Sequence, residues 1–169
     1  TYDEAVACAE AALAHPLAGP ILTAPGESEV SLFWTDERTG IACKGRLDRL
    51  ITPGDEHFIV DVKTTGQSAA PRAFAAATAT YGYHVQNAFY SDGYEQIVGA
   101  RPTFLNVVIE TKAPYLTSVV QLDDEAIDVG RARYQDALDI YQRCVETGEW
   151  PGYTDVIATT ISLPRWATY

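Results

Sequence analysis

No methionine occurs anywhere in the 169 residues. A chain without a start methionine is expected to be a fragment, here a single domain over 1–169 whose upstream part is missing. Cysteine is nearly as scarce. Cys8, Cys43 and Cys144 are far apart and odd in number, which excludes a disulfide framework and a four-thiolate zinc or iron–sulfur site. They read as reduced thiols of a cytoplasmic protein. Long apolar runs are also missing: none approaches the roughly 20 residues needed to cross a bilayer. The N-terminal TYDEAVACAEAALAH carries acids and no basic segment, unlike a secretory leader. Cations are few, 12 Lys and Arg against 23 Asp and Glu, for a net charge of −11. Phosphate affinity comes from Lys and Arg, so a nucleic-acid role requires those few cations to gather in one place.

What is present is a packable chain. Hydrophobic residues make up 47% of it, with three Trp, ten Tyr and five Phe, enough for one domain with a core. The Ala-rich stretch from Tyr2 to Ala14 has helical character and stops at His15-Pro16. Strand patterns follow at Glu29–Thr35, Ile41–Ile51 and His57–Lys63, separated by turn signals at DERTG and TPGD. The pattern is helical from about Pro71 to Val98, with a break near Tyr81-Gly82. Two more strands, Thr103–Glu110 and Tyr115–Leu122, flank a turn at Ala113-Pro114. A long helix then opens on Asp123-Asp124-Glu125, where acids suit the positive end of the helix dipole, and stops at Gly148. The order α-βββ-α-ββ-α predicts an α/β domain with a central mixed sheet flanked by helices.

The hairpin GRLDRLITPGDEHFIVDVKTT carries charges inside apolar strands. Side chains alternate across a strand, so Asp61 and Lys63 share one face while Phe58, Val60 and Val62 take the other and pack the core. On the preceding strand Lys44, Arg46 and Asp48 share a face. Normal pairing collects Asp48, Asp61 and Lys63 together, with Glu29 as a possible third carboxylate. Clustered carboxylates repel unless a cation lies between them, and oxygen donors suit Mg²⁺ or Mn²⁺. A carboxylate-held metal beside a lysine is the equipment of phosphodiester hydrolysis. The same spacing also serves an ordinary sheet surface with Asp–Lys ion pairs.

Asp48, twelve intervening residues, then DVK (Asp61 to Lys63) resembles the PD-(D/E)xK nuclease motif. QNAFY downstream, with Gln86 and Tyr90 on one helix face, resembles the Q-x-x-x-Y motif of the RecB-like branch. YHVQNAFYSDGY, DVKTT and LPRWA together are similar to the nuclease domain of the RecE (exonuclease VIII) family, over about Glu29 to Ala167. The resemblance implies a restriction-endonuclease-like core and a Mg²⁺-dependent exonuclease. It implies digestion of the 5′-ended strand of double-stranded DNA, leaving 3′ tails for a RecT-type annealing protein, by a ring-shaped homo-oligomer. Carried over by position, it implies Asp48, Asp61 and the Val62 carbonyl as metal ligands, Lys63 as assistant to the attacking water, and Gln86 and Tyr90 as holders of the DNA end. Glu29 matches an acidic position ahead of the first motif strand, with Glu27 as competitor. That branch carries a metal-binding His upstream of the first Asp. His15 is the only upstream candidate and reads as structural, so the ligand is expected in the missing segment.

Other residues read as follows. Lys44 and Arg46 either contact phosphate or balance the carboxylates. His84 packs or makes a hydrogen bond, His57 sits at a strand edge, and Cys43 is a buried thiol. Trp34, Trp150 and Trp166 are core or oligomer contacts, and Arg131 and Arg133 are solvated or bridge subunits. The alternatives to an exonuclease are an end-processing enzyme and a non-catalytic DNA-binding module of the same fold.

Overall fold

The protein is described by a computed structural model covering residues 1–153 and 158–164. Arg165, Trp166 and Ala167 of the LPRWA stretch lie outside the described residues. The elements are α1 (Tyr2–Ala14), α2 (Ala18–Thr23), β1 (Glu27–Thr35), β2 (Ala42–Ile51), β3 (Phe58–Thr65), α3 (Pro71–Tyr81), α4 (Tyr83–Val98), β4 (Thr103–Glu110), β5 (Thr117–Val120) and α5 (Asp124–Thr147). The five strands form one sheet in sequence order. β1–β2, β2–β3 and β4–β5 are antiparallel, and β3–β4 is parallel. The parallel step needs a crossover, and α3 and α4 supply it.

The predicted elements stand, with one addition. α2 is a single extra turn and a half after the His15-Pro16 break. His15 Nδ1 accepts from the N–H groups of Leu17 and Ala18 at 3.2 and 3.1 Å, so the one upstream histidine serves this turn. The break at Gly82 is real: its φ of 73° is left-handed, a conformation that glycine takes without penalty, and it ends α3 while starting α4.

The sheet buries both faces. On one, α1 and α2 cover Ile51, Val60, Val107 and Ile109. On the other, α4 covers Leu32, Leu47, Ile59 and Phe104, and α3 covers Val108 with Phe74. Trp34 belongs to this second core, with its ring 4.7 Å from Phe89. Phe58 and Val60 pack inward as expected, but Val62 is 37% exposed: α1 leaves the end of β3 uncovered, and Val62 borders an open cavity there.

α5 lies against α4 through a crossing that only glycine permits. A Cβ on Gly130 would sit 2.2 Å from the His84 carbonyl oxygen. Gly130→Ala is therefore expected to push the helices apart and cost about 1.5 kcal/mol, read as a lower urea midpoint. Beside this crossing, Arg131 is held within the chain by an acidic partner. Its guanidinium binds Asp92 of α4, with Nε at 2.7 Å and Nη2 at 3.0 Å. Arg101 Nη1 at 2.8 Å and the Tyr134 hydroxyl at 2.7 Å donate to the same carboxylate. His84 is buried and its Nδ1 lies 3.1 Å from the Thr78 carbonyl, a packing role.

Candidate active site

The charged cluster sits where the sheet forks. The β2–β3 ladder ends at Arg49–Val60, while β3–β4 continues to Thr65–Glu110. Beyond the fork the Val62 N–H meets no β2 carbonyl; Asp48 Oδ2 accepts it at 2.9 Å. The carboxylate of Asp48 thus replaces a strand partner and is brought beside Asp61.

A backbone distortion accompanies the fork. Glu29 has a φ of 58° and lies across from Asp48, between the pairs Ser28–Arg49 and Val30–Leu47. A non-glycine residue held in this region costs on the order of 1–2 kcal/mol. Gly45 and Leu47 face α4, since a Cβ on Gly45 would lie 2.9 Å from the Tyr90 ring and Leu47 packs in the same cluster. Leu50, three residues on, packs there too, whereas Ile51 is in the opposite core. The in–out alternation therefore slips by one across Asp48 and Arg49.

Asp61 is 3% exposed. Its Oδ1 accepts from Gln86 Nε2 at 2.8 Å, and Lys63 Nζ lies 2.6 Å from its Oδ2. Lys63 Nζ also donates to Gln86 Oε1 at 2.8 Å and rests 4.7 Å from the centre of the Tyr83 ring. The Gln86 amide therefore closes a loop: its NH₂ holds the carboxylate and its oxygen holds the ammonium. Burial pushes the Asp61 carboxyl above its ordinary range. The hydrogen bond and charge of Lys63 pull it down less than that, and the negative charge of Asp48 adds to the rise. The buried Oδ2 has Lys63 as its partner, in an ion pair at 2.6 Å, and no other donor reaches it.

The other expected site residues are distributed as follows. Glu29 is exposed and pairs with Arg46 Nε at 2.9 Å, so these two neutralise each other. Among the described residues no group of three or more His, Cys, Asp or Glu side chains forms a metal cluster; the acids that meet are Asp48 and Asp61. Tyr90 lies on α4 one turn beyond Gln86 and covers Gly45. Both border a groove of about 590 Å³ between α4 and α5, with Lys44 at its edge. Asn106 was not anticipated. It neighbours Asp61 on β4, is 2% exposed, and its Nδ2 has no hydrogen-bond partner. A polar residue inside the apolar run FLNVVIE of a parallel strand was the available signal.

Burial disfavours the Asp61 charge by more than Lys63 and Gln86 restore, so the ionised group is destabilising until a further cation reaches it. Asp61→Asn keeps the acceptor for Gln86 and removes the charge. In chelator it is expected to melt above the wild type, by about 1 kcal/mol of added stability. Wild type should instead gain about 1.4 kcal/mol at a Mg²⁺ concentration ten times its Kd, and the variant should gain little. Thermal melts with and without Mg²⁺ check both.

Residues 1–162 match the family model of a PDDEXK-like domain of unknown function, DUF3799. No curated protein matches the sequence. A solved structure from Eubacterium rectale, described as a "Putative exonuclease", superposes with a TM-score of 0.68 at 15% identity, over 95% of this chain and 63% of that one. The chain thus spans less than two thirds of that protein, and at this identity the likeness establishes the fold. A second structure, described as SSO0001, gives a TM-score of 0.44 at 14% identity over 71% of this chain and 50% of that one.

Proposed function

The chain belongs to the PDDEXK-like family DUF3799, and from that premise we propose that it is a metal-dependent nuclease that acts on the ends of linear double-stranded DNA. The observation that carries this reading is the closed set Asp61–Lys63–Gln86 with Asp48 beside it at the fork of the sheet. Asp61 Oδ2, whose one partner is Lys63, the Asp48 carboxylate and the Val62 carbonyl offer only hard oxygen donors, which fits Mg²⁺ or Mn²⁺. Such an ion, when bound, supplies charge neutralisation at the scissile phosphate and lowers the pKa of a bound water.

The chain's own residues do the positioning. Lys63 is fixed by three contacts, so its ammonium is pre-organised to donate to a phosphate oxygen or to the attacking water without further ordering. Gln86 keeps Asp61 and Lys63 in register. Lys44 borders the neighbouring groove and offers a cation to a flanking phosphate. The RecE-type details belong to the same proposal: attack on the 5′-ended strand, 3′ tails passed to a RecT-type annealing protein, and a ring of subunits around the DNA. A ring reconciles the net charge of −11 with a DNA substrate, because a few cations suffice along a channel. Native mass spectrometry showing only monomer would remove the ring.

Linear duplex labelled at its 5′ or 3′ end, and a closed circle of the same sequence, test the substrate. Small 5′-labelled products from the linear form, with the circle intact, are the expected result. Cutting of the circle would make it an endonuclease, and no product from either would leave a DNA-binding role.

A further inference from the structure

Lys63 also lines a cavity beside the acidic cluster. It has a volume of about 420 Å³, and its walls include Lys63, Gly66, Gln67, Phe74, Tyr81 and Tyr83. That size falls within the range of small-ligand sites, about 300–1,000 Å³. Three aromatic rings run along one wall. Phe74 stacks on Tyr83 with centroids 5.6 Å apart and planes 20° apart, and Tyr81 follows 5.7 Å beyond Tyr83. Phe74 is buried, while Tyr81 is 68% exposed and ends the series as an uncovered ring. Lys63 over the Tyr83 ring joins this wall directly to the acidic cluster.

The segment that completes the lining, Thr64 to Gln67, is polar and tethered. The Ala69 N–H donates to Glu110 Oε1 at 2.9 Å, and Ser118 Oγ donates to the Ala69 carbonyl at 2.6 Å, so the loop carrying Gly66 and Gln67 is tied to β4 and β5. The left-handed Gly82 turns the chain between α3 and α4 and so sets Tyr81 at the rim. An exposed ring face together with a polar loop suits a nucleobase, which has a π-face and a hydrogen-bonding edge.

Resting on the nuclease reading above, we infer that this cavity receives the unpaired base of the nucleotide whose phosphate lies at Lys63, with Tyr81 as its stacking platform. The occupant is a base, not a peptide, because the cavity shares Lys63 with the proposed phosphate site. A base can enter only if the terminal pair opens, so the protein should favour frayed or mismatched ends.

The test uses linear duplex with 2-aminopurine as the terminal base, bound in chelator and then hydrolysed in Mg²⁺. Stacking quenches this base, so wild type should lower its fluorescence. Tyr81→Ala should abolish the quenching and raise KM for duplex about tenfold, from the 1–3 kcal/mol that one stacked base supplies. Tyr81→Phe should restore both. Gly66→Leu, at a position where an added Cβ meets nothing within 4 Å, should fill the cavity and weaken quenching without strain. Quenching equal in wild type and Tyr81→Ala, or absent from wild type, would overturn the inference. Because fluorescence needs no hydrolysis, a wild type that quenches but releases no nucleotide would sink the nuclease reading instead.

Discussion

Lys63→Ala is expected to lower DNA hydrolysis about 10³-fold, equal to about 4 kcal/mol of transition-state stabilisation. Among the described residues Lys63 is the one cation in direct contact with Asp61, and its position is over-determined. Asp61 Oδ2 at 2.6 Å, Gln86 Oε1 at 2.8 Å and the Tyr83 ring hold it from three directions. A cation so held stabilises developing charge without reorganising. Loss of the side chain removes that charge and frees both Asp61 Oδ2 and the Gln86 oxygen. Lys63→Arg should recover little, because a planar fork does not match three contacts built around a compact ammonium. Initial rates at saturating DNA and Mg²⁺, with circular dichroism to confirm folding, measure the effect. A Lys63→Ala enzyme within tenfold of wild type would show that Lys63 serves the sheet and not the chemistry.

Asp92→Ala is expected to cost about 3 kcal/mol of stability at neutral pH. Asp92 accepts from Arg131, Arg101 and Tyr134 at the α4–α5 contact. Removing one member of such a set leaves partly buried charge without a partner, which typically costs 3–5 kcal/mol. Exposure of the arginines, 29% and 43%, places this case at the low end. The pH dependence has a definite sign. Burial pushes the Asp92 carboxyl up, but hydrogen bonds from Arg131, Tyr134 and Arg101 outweigh it and hold the group below its ordinary range. Its stabilisation is therefore full above the unfolded value of about 3.9 and is lost as pH falls through the lower folded value. Urea melts should show the whole gap between wild type and Asp92→Ala at pH 7 and a closing gap in strong acid. A gap independent of pH would mean that packing, not charge, is lost.

The hairpin at the heart of the site was legible because strand alternation and turn residues agree there. DVK announced two charges on one face, and the positive-φ glycines Gly82 and Gly148 marked helix ends by residue type alone. Other features left no such mark. Glu29 adopts a left-handed backbone that its side chain does not advertise, so the slip in alternation across Asp48 and Arg49 was invisible, whereas the pairing of Arg46 with Glu29 fits the charge-balance alternative. Arg131 looked solvated because its partner Asp92 lies on another helix, 39 residues away. Val62 looked like core because alternation says which face a side chain takes, not whether anything covers it. Gln86 was visible as a motif residue facing substrate. Its bridge between Asp61 and Lys63 depends on the angle at which α4 crosses the sheet, which the close approach of Tyr90 to Gly45 helps to set.

The central claim is that Asp48 and Asp61 hold a divalent cation beside Lys63. Its most direct measurement is a Mn²⁺ titration, followed by electron paramagnetic resonance, of wild type, Asp48→Asn and Asp61→Asn. The account predicts saturable Mn²⁺ binding by wild type, displaced by Mg²⁺ and lost in both variants. Binding that survives in both variants, or a wild type that binds none, would contradict it.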